Sequence, residues 1–402
     1  LRRLDTPYLL VPAADVGRVR CVSNRAMTTE RPFVEHLKLA GFKSIRQAEI
    51  DFTKLNVLIG SNGAGKSNLV SSFAMLHASL NNKLDEYVGR NGGPNALFHL
   101  GTKFTSEIIT SINVHTPIGR GMLHQRLGFR PPDGLYPIID HDAIRESFDQ
   151  PDLKIATFMN AYFSMFKLGE PDPLGSQLFH WIYLSLRDRL ATYHLVDTSL
   201  TSAIRTEGYI QDNQRLNPDG GNLAAILYLY KSKHPTVYNR IRSTVRKIAP
   251  SFDDFVLEPQ RFNANNILLN WRQAGSDYLL GPHQISDGTL RAMALCTLLL
   301  QPTEDLPDLL ILDEPELGLH PLAITIIAGL IRAASVHVQV IVTTQSIEFL
   351  DHFEAGEVIV VDSAEGASQF RRLDPSSLKD WLEEYSVGEL WRKNVIGGGP
   401  MP

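Results

Sequence analysis

The chain has 402 residues, 43% of them apolar, with two cysteines and a formal net charge of -5. That is enough apolar material for a full core, arranged as two or three domains or as one large domain with an insertion, and the acidic balance excludes a protein that coats nucleic acid through bulk charge. Cys21 and Cys296 are too few and too far apart for a disulfide framework or a metal cluster, which points to a reducing, cytoplasmic setting. The apolar run Leu322–Ile331 is bounded by His320 and Arg332 and is too short to span a bilayer, so no membrane partner is expected.

Residues 1–26 carry neither a signal-peptide pattern nor a structural period, and Met27 would serve as a natural start; they are expected to be an extension outside the fold. From Val34 to Phe52 apolar and polar residues alternate around Gly41, as in a two-stranded antiparallel hairpin. "NVLIG" comes next, an almost unbroken apolar run that suits a strand buried on both faces, and "GKSNLVSSFAMLHASL" then shifts to helical spacing. Glu107–Val114 and Gly121–Phe129 read as further strands, antiparallel to each other. From Asp140 to about Ser251 the pattern turns mostly helical, with two helices separated at Pro235. Strand patterns return in "DLLILDEP", "VHVQVIVTTQS" and "GEVIVVDSA", so an α/β core is expected to be assembled from both ends of the chain. A last helix is expected near Ser376–Glu384. Its neighbourhood leaves little room for a separate nuclease domain.

Gly60, Gly65, Lys66 and Ser67 match G-x-x-x-x-G-K-[ST], with Gly63 adding backbone freedom between them. A triphosphate needs a concave ring of backbone N–H groups and a helix N-terminus aimed at it, which requires glycine where side chains would intrude. The run Gly60, Ser61, Asn62, Gly63, Ala64, Gly65, Lys66, Ser67 and Asn68 is therefore expected to cradle ATP. Lys66 supplies mobile charge to the β- and γ-phosphates, and the Ser67 hydroxyl is a ligand for Mg2+. "LLILDEPELGLHP" carries an apolar strand that ends in Asp313 and Glu314, the end at which open α/β sheets present ligand-binding groups. Asp313 is expected to hold magnesium, and Glu314 to orient and deprotonate the attacking water.

Taken together, "LKLAGFKSI", "ISDGTLRAMAL", "LLILDEPELGLHP" and "IVTTQSIEFLD" stand in the order found in ABC-type ATPase heads. The chain resembles most closely the RecF-like, SMC-related ATPases of prokaryotes, a group that includes the ATPase part of OLD nucleases. The fold this implies is α/β: a P-loop NTPase head of ABC type with an antiparallel β lobe and an inserted, mostly helical module. Its segments would be an N-terminal half over 27–139, the insertion over 140–255 and a C-terminal half over 256–402. The resemblance further implies a homodimer formed on ATP binding, in which Ser286 and the Gly288 backbone of one subunit meet the γ-phosphate held by the other. A polar, glycine-containing start to an apolar helix suits that contact physically. Gln345 takes the switch position and is grouped with Lys66 and Glu314 as catalytic. "GLHP" falls where such heads have the D-loop, which makes His320 a candidate interface residue.

Two positions depart from the pattern. Asp287 stands where transporter-type heads usually have glycine, and Gln345 where many relatives have histidine; an amide can bond the γ-phosphate but cannot share a proton as imidazole does, which implies slow turnover. No glutamine, Gln125 included, has the setting of a Q-loop. The long stretch between Ser67 and Ser286 holds no heptad run, which excludes an SMC-type coiled-coil arm there.

Within that stretch, Lys231, Lys233, Arg240, Arg242, Arg246 and Lys247 with His234 offer a phosphate-tracking surface for DNA or, more plainly, a solvated helix face. "DHD" (Asp140–Asp142) reads as a solvated loop more readily than as a nuclease metal site. The function expected is a Mg-dependent ATPase acting as a dimeric switch in DNA repair or phage defence, with a separately encoded effector or nuclease as partner. The competing reading is the energy-coupling subunit of a transporter, which would need a recognisable Q-loop and is disfavoured by the insertion. A nuclease in its own right and a binding-only protein are further alternatives.

Overall fold

A computed structural model describes residues 30–130, 134–137, 154–157, 173–195 and 197–399. The expected N-terminal extension and the "DHD" run lie outside these residues. Strands β1 (Phe33–Phe42) and β2 (Ile45–Asp51) form the expected hairpin. Its turn falls at Lys43–Ser44, with Lys43 at φ 48°, and Gly41 serves a different need: a side chain there would strike the carbonyl of Glu107 on a neighbouring strand. β3 (Leu55–Ile59) is next and is buried throughout, and beyond the glycine loop α1 (Lys66–Leu80) begins. β4 (Glu107–Thr116), β5 (Gly119–Arg130), β6 (Gly134–Pro137) and β7 (Lys154–Thr157) complete a largely antiparallel lobe in the order β2-β1-β4-β5-β6, with β7 parallel to β5.

Next along the chain come α2 (Pro173–Asp188), β8 (Leu190–Tyr193), β9 (Gly208–Tyr209), α3 (Leu223–Lys233) and α4 (Pro235–Ile248), the last opened by Pro235 as its position predicts. Short strands β10 (Phe252–Val256), β11 (Pro259–Gln260), β12 (Asn263–Ile267), β13 (Asn270–Gln273) and β14 (Leu279–Leu280) pair with each other and with β9 in two small patches. The C-terminal part holds α5 (Asp287–Leu300), β15 (Leu309–Asp313), α6 (Pro321–Ser335), β16 (Gln339–Thr344), α7 (Ile347–Leu350), β17 (Val358–Ala364), β18 (Ala367–Arg372) and α8 (Val387–Arg392). The helix expected near Ser376–Glu384 is two short turns, Pro375–Leu378 and Lys379–Leu382.

The second sheet runs β18-β17-β3-β16-β15-β8, parallel except for the β17/β18 hairpin. β3 comes from the N-terminal half and its neighbours β16 and β17 from the C-terminal part, so the core is assembled from both ends of the chain. Both faces of this sheet are covered, which is why its strands read as unbroken apolar runs. Leu310, Leu312, Val340 and Val342 point into the core formed with α3, α5 and α6, while Leu309, Ile311 and Ile341 point into the core shared with the antiparallel lobe and α1. β7 and β8 do not show in the helical pattern of 140–255, because four residues hold too few repeats to set a period. With β8 at the edge of the parallel sheet and α2 packed in the core of the antiparallel lobe, the proposed insertion is woven into the head and not appended to it. No helix among the described residues is long and apolar enough to cross a membrane.

A buried polar side chain helps tie the two sheets together. Gln339, fully buried at the start of β16, accepts from the Val34 N–H at 2.8 Å and donates to the carbonyls of Val34 at 2.8 Å and Thr53 at 3.0 Å. It thus satisfies backbone groups of the antiparallel lobe from within the parallel sheet. Gln339→Leu keeps the volume and strands those groups, so we expect it to destabilise the chain by about 3 kcal/mol, read as a lowered urea midpoint at unchanged slope.

Candidate active site

The glycine loop leaves β3 at Gly60 and enters α1 at Lys66. Each glycine answers a separate constraint: a side chain at Gly60 would strike the Val361 carbonyl of β17, Gly63 has open space but takes φ 80°, and Gly65 combines φ 118° with a clash against the Ser368 side chain. Ser368 bonds to Ser44 at 2.6 Å, and Asn68 donates to the same Ser44 hydroxyl at 2.7 Å. Asn68, expected at the nucleotide, therefore uses its amide to buttress the loop from behind. Ala64 is buried, and its N–H is spent on the Ser61 carbonyl at 3.2 Å. Ser61 is half-buried, while Asn62, Gly63 and Ser67 are exposed on the open side. α1 begins without a side-chain cap, which leaves its first N–H groups directed at whatever occupies the loop.

Lys66 is 4% exposed, and its ammonium donates to the Gly60 carbonyl at 2.7 Å and the Ser61 carbonyl at 3.2 Å. Burial pulls it below its ordinary range, opposed by the negative charges of Glu314, Asp313 and Glu316. The acids sit at the end of β15, two strands away from β3. Asp313 is buried; it accepts from Thr343 of β16 at one oxygen and meets His194 Nδ1 at 3.1 Å with the other. Burial alone would raise the Asp313 carboxyl, but the hydrogen bonds from His194 and Thr343 outweigh it and hold the group below its ordinary value. The same bond raises the His194 imidazole against the effect of burial.

At Glu314 the chain turns through φ 49°, held by hydrogen bonds from its N–H to the Thr343 carbonyl at 3.1 Å and hydroxyl at 3.2 Å. That turn separates the directions of Asp313 and Glu314, and Gln345 donates its side-chain amide to the Glu314 carboxylate. The structure thus gathers Lys66, Asp313, Glu314 and Gln345 in one place.

Ser286 and Gly288 have other partners. Ser286 caps α5, accepting from Thr289 N at 3.2 Å, and a side chain on Gly288 would strike the Gly318 carbonyl of the D-loop segment. Gly288 is therefore required within the chain by a close approach of two backbones. Asp287 pairs with Arg205 at 2.6 Å. His320 caps α6 through its Nδ1, accepting from Leu322 N at 3.3 Å. Gln125 is buried in β5, bonded to Ser79. In the basic segment Arg242 pairs with Asp253 and Asp254 at 3.2 Å each and Arg246 with Asp253 at 3.7 Å. Those acids lie just past the window in which only cations are visible; Lys231, Lys233, Arg240, Arg246 and Lys247 are exposed, and among the described residues no acid pairs with Lys231, Lys233, Arg240 or Lys247.

Two site residues escape the sequence motifs. His194 comes directly after β8, whose four residues give no periodic signal, and Glu316 is the third acid of "DEPE", visible but without an assigned task. Glu316 is 7% exposed; it accepts from the Thr344 hydroxyl and the Gln345 N–H, and its second oxygen is buried without a hydrogen-bond partner among the described residues.

Residues 33–168 match the AAA ATPase domain family, and residues 183–351 match an AAA domain family described with reference to the AbiEii toxin of type IV toxin–antitoxin systems. The fold is that of SMC heads. A crystal structure of an SMC head bound to the C-terminal winged-helix domain of ScpA aligns with 87% of this chain and 99% of its own, at 15% identity and a TM-score of 0.57. A second, the SMC head of Pyrococcus furiosus with an extended coiled coil bound to the C-terminal domain of ScpA, aligns with 88% and 99% at 15% identity and a TM-score of 0.52. The two family matches together cover most of the chain as AAA ATPase domains, and the chain is an ATPase. No curated protein matches the ATPase by sequence.

In this ATPase, burial raises the Glu316 carboxyl above its ordinary value of 4.5. A group raised on folding contributes stability that is complete below its unfolded value and lost as pH rises through the folded one. Glu316→Gln removes that loss. The stability of the variant relative to the parent should therefore increase as pH is raised from about 4.5 toward 8, checked by urea unfolding at both ends of the range.

Proposed function

We propose that this ATPase hydrolyses Mg-ATP at a head-to-head dimer interface and uses the closing and opening of that dimer as a conformational switch. The observation that carries the reading is the joint placement of Lys66, held over the glycine loop, and Glu314, held by Gln345, at one end of the parallel sheet. The residues present fit a metal-bound triphosphate: an uncapped helix N-terminus, a loop open above Gly63, a hydroxyl at Ser67 and a carboxylate at Asp313. Ser67 and Asp313 would hold magnesium, which when bound offsets charge on the β- and γ-phosphate oxygens.

The protein's own part is positioning. Lys66 would leave the Gly60 and Ser61 carbonyls for phosphate oxygens, exchanging neutral acceptors for charged ones. Gln345 engages one carboxylate oxygen of Glu314 and so fixes the base that takes a proton from the attacking water. His194 and Thr343 hold Asp313 ionised and oriented. Ser286 at the start of α5 would close over the nucleotide of the partner subunit, supplying an N-terminal dipole from outside the chain.

The AbiEii and toxin–antitoxin description of the matching family supports a defence role with a separately encoded partner, more directly than DNA repair. If the ATPase meets DNA through the end of α3 and α4, the contact would rest on Lys233, Arg240 and Lys247.

Glu314→Gln retains the shape of the base and removes its proton affinity. It is expected to bind Mg-ATP with parental affinity, to lose hydrolysis by about 100-fold or more, and to accumulate as dimers on light scattering in the presence of ATP. A monomer at saturating ATP would refute the switch.

A further inference from the structure

The departure at Asp287 has a physical counterpart in Arg205, a residue no sequence motif contains. Arg205 lies on a short turn between β8 and α3, and its guanidinium is buried, with 3% of the side chain exposed. Nε donates to the Thr198 carbonyl at 2.7 Å, Nη1 to the carbonyls of Pro282 and of Ile285, the latter at 3.1 Å, and Nη2 to the Asp287 carboxylate at 2.6 Å. Two of these four acceptors belong to the loop that leads into Ser286, and a third, Asp287, opens α5. A single planar fork thus fixes that loop from beneath at two carbonyls and one carboxylate, a geometry that a lysine ammonium does not reproduce.

We propose that Arg205 is the positioning residue of the signature loop, setting both its shape and its charge for the nucleotide of the partner subunit. This rests on the dimer reading above. Asp287 is the first residue of α5, at the helix end that would receive the γ-phosphate, and it is 68% exposed. A free carboxylate there would repel a polyphosphate and cancel the helix dipole. Paired with Arg205, it is neutralised and drawn toward the base of the loop, while Ser286 stays exposed as the cap, its hydroxyl bonded to Thr289 at 2.8 Å. Asp287 therefore acts as the handle by which Arg205 holds the loop. The clamp also explains how this position tolerates an acid where transporter-type heads use glycine.

A residue acting on the partner's nucleotide differs from one that merely supports its own subunit. Arg205→Lys and Arg205→Ala are expected to bind Mg-ATP with the parental Kd, because the phosphate loop is untouched, and to lose about 100-fold in kcat through misplacement of the lid. Mixing the full-length variant with full-length Lys66→Ala, itself without hydrolysis, should restore activity: the heterodimer pairs the intact phosphate loop of the Arg205 variant with the intact signature loop of the Lys66 variant. Ser286→Ala mixed with Lys66→Ala is the reference. Where Arg205→Ala does not fold, Arg205→Lys and the exposed Asp287→Asn carry the test, and both should be rescued by Lys66→Ala. Parental kcat in Arg205→Lys, or rescue of Ser286→Ala without rescue of the Arg205 variant, overturns the assignment and leaves the dimer reading standing. Failure of Ser286→Ala to be rescued overturns the dimer reading, and the proposal with it.

Discussion

The site depends on the parallel register of four adjacent strands. β3, β16, β15 and β8 run the same way, with Thr344 opposite Ile59, Asp313 opposite Thr343 and Tyr193 opposite Leu312. The residues just beyond the strands must therefore emerge along one edge, and they are the glycine loop after β3, Gln345 after β16, Glu314 after β15 and His194 after β8. Residues far apart in the chain meet there without any of them being designed around the others. The backbone ladder supplies the alignment, and the chemistry is carried by the first residue or two beyond it. Gln339 belongs to the same constraint, since it anchors the start of β16 to the antiparallel lobe and so fixes where that strand ends.

Much of this arrangement is legible in the residues because the decisive segments are contiguous. The glycine loop carries its geometry in eight residues, and "LLILDEP" announces both a doubly covered strand and the acids at its end. Hidden from the sequence is whatever depends on a distant partner. Asn68 reads as part of the phosphate cradle, and its side-chain amide braces Ser44; Gly288 reads as a nucleotide contact, and its missing side chain is demanded by Gly318. The cations of α4 read as unopposed because Asp253 and Asp254 stand just past the helix. His194 is hidden for a simpler reason: a four-residue edge strand at the end of a helical stretch leaves no period to detect.

Buried guanidinium groups recur as the means of tying segments that share no ladder. Arg205 holds the signature loop, and Arg291, from α5 itself, donates to the carbonyls of Leu195, at 2.6 Å, and of Leu317. Leu195 is the next residue after His194, and Leu317 directly precedes the "GLHP" run, Gly318–Pro321. Arg291 therefore joins the helix behind the signature to the two loops flanking Asp313, and Arg291 and Leu295 share a small cleft with Asp313 and Glu314. A carbonyl in such a place would cost free energy if left unpaired, and arginine satisfies several at once with a rigid geometry. The consequence is mechanical. A shift of the signature helix must either carry these loops along or break buried hydrogen bonds, so the signature loop and the Asp313–Glu314 edge of one subunit are expected to move together.

Glu314 shows what this alignment costs locally. A non-glycine residue at φ 49° is disfavoured by roughly 1 kcal/mol, and the adjoining Pro315 further restricts its backbone. The conformation is retained because Thr343 offers its carbonyl and its hydroxyl to the Glu314 N–H, and the gain is the contact of the Glu314 carboxylate with the Gln345 amide. In a relaxed strand the two carboxylates would also alternate, with Glu314 continuing the ladder opposite Thr344, one residue short of the Gln345 amide. The left-handed turn lifts it off the ladder toward that amide, while Asp313 stays on the ladder with Thr343 and His194. One backbone angle thus brings the proposed base to the Gln345 amide while the acid that would face the metal stays on the ladder, and the strain is located at the residue whose direction matters most.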